Sequence, residues 1–478
     1  MPVIRGRLRT PPRAERRGPT AQSVFRRAPL AAGLAALVVA LGASGSVAST
    51  PVAGWITFGN GIGRSSEADG PVKSTGPRWA VKLPGRITSQ PIVVRSAAGT
   101  GRSTVYAATS AGVVQAFSDT GRALWRVQVG RLAEHPCKQL DGYGVTGTPV
   151  ADRITHYLYV ADALGRLHAL SLDSGKERPG WPVRLYPDFR QEMVWGALTV
   201  VGYSLYLGTG SYCDAPMVGH VIRVNLLTRA VSRWAVVPEA RGGGGWIWGW
   251  GGLAYSSSRR SLLAVMGNAF QGGTNAGDAF REWEPYGEHL VELSPSLRVR
   301  AANHPAAVSK PEDLDFVGSP VVVKRPGCAE QVVALNKNGR VYAWETKRIA
   351  AGPVWEVHLA GASPTRPLIT QAAYSAALRA LYVATGRGLV KIALTARCKG
   401  RVAWTRKLGV INSTPTVAGG TVWAVGWHTT AALIGVDGRT GRVTARRALG
   451  KDRYYVGPAV LDGRMYLGSF GGLVRALG

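Results

Sequence analysis

The feature that most constrains this chain is internal self-similarity. "STVYAATSAGVVQAFSDTGRALWRVQVG" from Ser103, "HYLYVADALGRLHALSLDSGKERPGWPVRL" from His156 and "GTVWAVGWHTTAALIGVDGRTGRVTARRALG" from Gly420 share one plan. Each reads as an apolar strand, a Gly-containing turn, a second strand, a "DxxTG"-like turn and a last strand that often carries Trp. A further short strand precedes each unit, as in "TSQPIVV", "TGTPVAD", "VGSPVVV", "NSTPTVA" and "VGPAVL". Four short strands recurring every roughly 40 to 55 residues define the blade of a β-propeller, because each small sheet buries its faces only against its neighbours. Eight units begin near Thr88, Thr146, Trp195, Trp248, Gly318, Gln371, Ser413 and Gly457. The last stops at "MYLGSFGGLVRALG", one strand short, and a spare strand with a Trp stands at the other end in "GPRWAVKLPG". The expected fold is all-β: an eight-bladed propeller of four-stranded antiparallel blades. Its ring closes when the N-terminal strand completes the C-terminal blade, which removes an open sheet edge.

The repeat spans residues 49–478 as one domain. Ahead of it, residues 1–48 combine eight Arg and a single acid with the apolar run "APLAAGLAALVVALGASG" and Ser46-Val47-Ala48. This pattern suits a signal peptide cut after Ala48, with a retained anchor as the alternative. The expected location is therefore outside the cytoplasm: extracellular, envelope-associated or periplasmic. The formal charge is +30, and it remains +23 when that segment is set aside. A surface so basic favours anionic partners such as envelope polymers. The Arg residues are scattered without a nucleic-acid motif, so no nucleic acid is expected. The four cysteines, Cys137, Cys213, Cys328 and Cys398, are expected to pair as Cys137–Cys213 and Cys328–Cys398. There is no CxxCH for attached haem, and neither CxxC nor HxxxH for zinc.

Six tryptophans, Trp79, Trp125, Trp181, Trp234, Trp355 and Trp404, fall at or near one place in successive units, on the outer strand. Packing between neighbouring sheets explains them. In "GWIWGWGGLAYSSSRRSLLAVMGNAF", Trp246, Trp248 and Trp250 alternate instead, and the last two are expected on the innermost strand of the fourth blade, near the central channel.

The turns "AFSDTGRALW" and "ALSLDSGKERPGW", with the opening "GWITFGNGIGRS", resemble the PQQ-repeat propeller superfamily over roughly Gly54 to Gly478. Two branches compete: quinoprotein alcohol dehydrogenases, which hold pyrroloquinoline quinone (PQQ) and calcium in the channel, and non-catalytic propellers similar to the outer-membrane-protein assembly factor. "WGGLAYSSSRRSLLAVMGN" is similar to the dehydrogenases' fourth blade, which implies Trp250 beneath the quinone and Asn268 as a calcium ligand. "YGEHL" resembles their motif for the metal-bound catalytic acid, implying Glu288. "DLDFVGSP" and "NKNGRVYAW" follow in order, the latter implying Lys337 as the quinone contact. "GTGSYCDAPMVGHV" implies Asp214 as the acidic metal ligand. Oxygen donors suit calcium, a hard cation, and Glu288 would accept the alcohol proton. The family's adjacent-cysteine cap is missing, and Glu288 stands where Asp is usual. Two readings follow. One is an enzyme acting on a small alcohol and passing electrons to a separate acceptor; the other is a scaffold for envelope proteins.

Overall fold

The computed structural model describes residues 53–95, 103–133, 142–190, 192–210, 218–238, 240, 243–247, 249–269, 285–306, 314–359, 370–411 and 413–478. Eight sheets follow one another along the chain, antiparallel except where Glu67–Ala68 adds in parallel to Thr416–Ala418. Their innermost strands are Ile92–Arg95, Val150–Ala151, Thr199–Val201, Ala254–Ser256, Val321–Val323, Ala373–Ser375, Thr416–Ala418 and Ala459–Leu461, in blades 1 to 8. Each lies a few residues after the unit start read from the sequence, so the eight-bladed all-β expectation holds. Blade 1 shows the common plan: Ile92–Arg95 pairs with Ser103–Ala108, then Val113–Ser118, then Ala123–Gln128. Its two middle strands are almost wholly buried, while the outer one alternates exposed and half-buried positions. Both faces of a blade's middle are covered by neighbouring blades, so those strands read as continuous apolar runs rather than alternating ones.

The eighth blade is completed as expected, since Pro77–Lys82 pairs antiparallel with Leu473–Leu477. Four of the outer tryptophans, Trp79, Trp125, Trp355 and Trp404, dock between blades by a recurrent contact. A Cβ on Gly121 would lie 2.7 Å from the Trp79 ring, and one on Gly175 would lie 2.6 Å from that of Trp125. Gly400 meets Trp355, and Gly441 meets Trp404, in the same way. Each Trp thus packs on the "DxxTG"-type turn of the next blade, where only glycine leaves room. Trp79 Nε1 and Trp125 Nε1 each donate to a carbonyl of that turn, Asp119 O and Leu172 O, at 3.0 Å.

One structural element has no counterpart in the repeat pattern. The segment from Ala53 to Lys73 winds around the axis and bonds to every blade in turn. Ala53–Trp55 pairs with the inner strand of blade 1. Ala151 N donates to Ile56 O in blade 2, and Thr57 Oγ1 donates to Leu198 O beside blade 3. The amides of Tyr255, Val322, Tyr374 and Val417, in blades 4 to 7, donate to the carbonyls of Ile62, Gly63, Ser65 and Ser66. Lys73 N donates to Gly463 O in blade 8. Arg64 anchors this strap and is fully buried. Its guanidinium donates to Leu253 O, Thr57 Oγ1, Phe58 O, Leu198 O and Thr199 Oγ1. Burial lowers its pKa to about 9, and all five acceptors are uncharged oxygens.

Cys328 and Cys398 form the expected disulfide between blades 5 and 6, with Cα atoms 5.6 Å apart. The other expected pair, Cys137–Cys213, lies outside the described residues, as does the leader with its cut after Ala48. The tryptophan triplet corrects the sequence reading. Trp246 and Trp250 are not on a strand, because the inner strand of blade 4 begins only at Ala254. Gly245 at φ +73 and Gly252 at φ +60 bend the chain on either side of them. Trp248 lies outside the described residues.

Candidate functional site

Antiparallel strands alternate direction, so the second-to-third-strand turns and the inter-blade connections emerge on one common face of the ring. The residues singled out from the sequence gather on this face. Asn268 and Glu288 stand at the two ends of the loop between the second strand (Ser261–Val265) and third strand (Leu290–Leu293) of blade 4. The loop ends are tied together by Glu288 N donating to Gly267 O at 2.8 Å. Gly245 N donates to Asn268 O, and Gly267 N donates to Trp246 O, each at 2.6 Å. Lys337 lies in the matching turn of blade 5, which Asn336 fixes by accepting the Asn338 amide at 2.9 Å.

Asp315 joins these two blades, although the sequence reading gave it no role of its own. One carboxylate oxygen accepts the Asn268 amide at 2.7 Å, and the other accepts the Lys337 ammonium at 2.5 Å. Lys337 N also donates to Asp315 O at 3.0 Å. Asn268 and Asp315 are each 2% exposed and Glu288 is 5% exposed. Ionised groups buried this deeply are costly unless paired, and such clusters concentrate at functional sites. Glu288 also adopts φ +52, a left-handed conformation that costs a non-glycine residue about 1–2 kcal/mol. His304 is a second residue the sequence reading missed. Its Nε2 lies 3.6 Å from Glu288 Oε2, and burial together with His289 lowers its pKa to about 4, so it is neutral at neutral pH. Asp315 lies in the "DLDFVGSP" motif without having been given a role, and His304 carried no motif signal; contacts made on folding bring both in.

Trp250 belongs to the aromatic part of the same face. It lies in the connection from blade 3 to blade 4, and its carbonyl accepts the Ala197 amide at 2.9 Å. Its ring stacks on Tyr455 at 5.7 Å and 30°, and meets Trp195 at 5.0 Å and 40°. Tyr455 comes from the connection between blades 7 and 8, half a ring away, so the stack crosses the axis. Phe58 of the strap, Ala197 and Val456 pack with Trp250 as a small central cluster. Phe470 meets Tyr455 edge-on at 5.2 Å, and the Arg86 guanidinium lies over Phe470 at 4.7 Å. The channel mouth therefore has a polar wall on blades 4 and 5 and an aromatic closure over the axis.

Asn268, Glu288 and Lys337 thus come together in one hydrogen-bonded wall, and Trp250 stands on the same face. Asp214 lies outside the described residues. Among the described residues, no group of three or more His, Cys, Asp or Glu side chains is placed to hold a metal ion.

Repeat, closure and face define an eight-bladed β-propeller. Residues 72–264 match the family model described as outer membrane protein assembly factor BamB. None of the curated proteins matches the chain. Solved structures share the fold at low identity. Quinohemoprotein alcohol dehydrogenase from Comamonas testosteroni is 16% identical, with 90% of this chain and 80% of that one covered and a TM-score of 0.63. A europium-containing methanol dehydrogenase is 15% identical, covering 88% and 91%, at a TM-score of 0.66. BamB from Moraxella catarrhalis is 16% identical, covering 84% and 96%, at a TM-score of 0.53.

Proposed function

We propose that the mouth on blades 4 and 5 is a cofactor site of the quinoprotein type, and that an exported form of the protein oxidises a small alcohol there. The observation that carries this reading is the buried wall of Asn268, Asp315, Lys337 and Glu288, a costly set of groups for a face with no ligand. The polar wall fits PQQ with calcium: Asn268 and Glu288 offer oxygen donors, with Asp214 as the third expected ligand. The aromatic part fits only if Tyr455 or Trp195 turns aside. A third flat ring needs about 3.5 Å of clearance on each side, roughly 7 Å between its neighbours, and the present centroids are 5.7 and 5.0 Å from Trp250.

The bound quinone, polarised by calcium, would supply hydride acceptance. The chain's own residues do the rest. Glu288 takes the alcohol proton, with neutral His304 beside it to orient the carboxylate. Lys337 holds positive charge at the wall, positioned by Asp315. Trp250 offers the flat apolar surface. Electrons would leave to a separate acceptor.

The closed Trp250–Tyr455 stack favours a second reading, a non-catalytic scaffold for envelope proteins. The test is dye-linked alcohol oxidation by protein reconstituted with PQQ and calcium. Turnover lost in Glu288→Gln, with PQQ still bound, supports the enzyme. Wild-type protein that binds PQQ but reduces no dye with any primary or secondary alcohol leaves the scaffold reading.

A further inference from the structure

The outer walls of blades 6 and 7 carry the most one-sided charge of the described chain. Between Arg387 and Arg453 the sequence holds thirteen Arg and Lys against two carboxylates, Asp437 and Asp452. Both acids are engaged in turns. Asp437 Oδ1 accepts the amides of Arg439 and Thr440 and the Thr440 hydroxyl. Asp452 accepts the amides of Gly471 and Arg453 and the Ser469 hydroxyl. Elsewhere in the ring, several cations are answered: Arg166 by Asp162, Arg233 by Glu192, Arg340 by Glu356, Arg464 by Asp119. Among the described residues, no Arg or Lys from 387 to 453 joins an ion pair.

Packing sets the cations of the two outer strands, Arg401, Arg406 and Lys407 with Arg446 and Arg447, on neighbouring blades. The outer strands Gly400–Lys407 and Val443–Gly450 are the longest in the ring and mostly exposed. Trp404 of the first docks on Gly441, just ahead of the second. Arg406 Nε donates to Gly441 O at 2.6 Å, and Lys391 Nζ reaches Arg439 O at 3.5 Å. Burial and the nearby Arg439 lower the Lys391 pKa. Guarding two sheet edges against stray pairing needs only a few charges. A larger set left unanswered costs stability through mutual repulsion and concentrates positive potential on one wall.

We propose that this wall binds a linear, phosphate-bearing polyanion of the cell envelope. Arg401, Arg406 and Lys407 on one outer strand, and Arg446 and Arg447 on the next, give several cations along two neighbouring exposed strands, which suits an anion repeated along a flexible chain. A lipid surface fits less well. The large apolar side chains exposed here are valines, Val402, Val410 and Val443, whereas interfacial binding uses Trp, Phe or Leu on an amphipathic helix.

The probe is inorganic polyphosphate added to the full chain, read by titration calorimetry at low and moderate salt. Vesicles of phosphatidylglycerol and phosphatidylcholine form a parallel arm. One variant combines Arg401→Gln, Lys407→Gln, Arg442→Gln and Arg446→Gln. A control removes the same charge elsewhere through Arg122→Gln, Arg126→Gln, Lys176→Gln and Arg298→Gln. All eight side chains are exposed, apart from the docking contacts above, and melting curves check that both variants fold. The expected result is saturable, salt-sensitive polyphosphate binding that falls about tenfold or more in the first variant and under about threefold in the control. Equal losses in both variants would overturn the assignment, as would no polyphosphate binding, or preferential capture by the anionic vesicles.

Discussion

The docking of Trp79, Trp125, Trp355 and Trp404 on a glycine of the next blade makes a sharp prediction at the ring closure. Gly121 sits at φ +86, and an added Cβ would lie 2.7 and 2.8 Å from Cγ and Cδ2 of Trp79. In Gly121→Ala the left-handed backbone costs about 1–2 kcal/mol. Forcing the indole aside costs about 1–3 kcal/mol more. The total expected loss is therefore roughly 2–5 kcal/mol. Trp79→Ala removes the ring's contacts with Phe117 at 5.6 Å and Tyr466 at 6.3 Å, and its bond to Asp119 O. Because Trp79 is only half-buried, its loss should lie near the low end of the usual range, about 3 kcal/mol. In the double variant the steric part of the Gly121 penalty has nothing left to strike. The cycle should therefore show a favourable coupling of about 1–3 kcal/mol. Urea denaturation followed by far-UV circular dichroism gives all four stabilities. Additivity within about 0.5 kcal/mol would refute the Trp-on-Gly contact as the blade-to-blade joint.

Removing the disulfide by Cys328→Ser with Cys398→Ser should cost about 4 kcal/mol, from the loop entropy of a crosslink spanning 70 residues; melting with and without reductant reads the same difference in the wild type. In blade 2, His168 is held by Asp162 at 3.3 Å and Glu177 at 2.6 Å. Burial opposes its charged form, but these two carboxylates outweigh it, so its pKa is raised. A raised folded pKa stabilises fully below the unfolded value of about 6.5 and is lost as pH rises through the folded value. The stability gap between wild type and His168→Gln should therefore be widest in mild acid and narrow in alkali; a gap that widens with pH would contradict the ion-pair role.

Much of the fold could be read from the chain because a blade is a local object. Its turns and its buried middle strands all lie within one repeat. Closure by Trp79 was legible for the same reason, since the last unit visibly lacked a strand. The strap was not. Ile56, Gly63 and Ser65 use their carbonyls on blades far away in sequence, and backbone bonding leaves no side-chain signature. The polar wall was half legible: Asn268, Glu288 and Lys337 had roles implied by their motifs, whereas Asp315, though inside "DLDFVGSP", and His304 gain theirs only through contacts made on folding. The Trp alternation misled because Gly249, Gly251 and Gly252 interrupt the strand that period 2 implies.

The most direct test of the cofactor site is an equilibrium titration of the protein with PQQ and calcium, followed by tryptophan fluorescence. The expected result is quenching that saturates at one equivalent, since a quinone seated at the mouth must displace Tyr455 or Trp195 and cover Trp250. Chelating the calcium, or introducing Asn268→Ala or Lys337→Ala, should weaken it. No quenching at high micromolar PQQ with calcium would contradict the site and leave Trp250, Tyr455 and Phe58 as a structural closure of the ring.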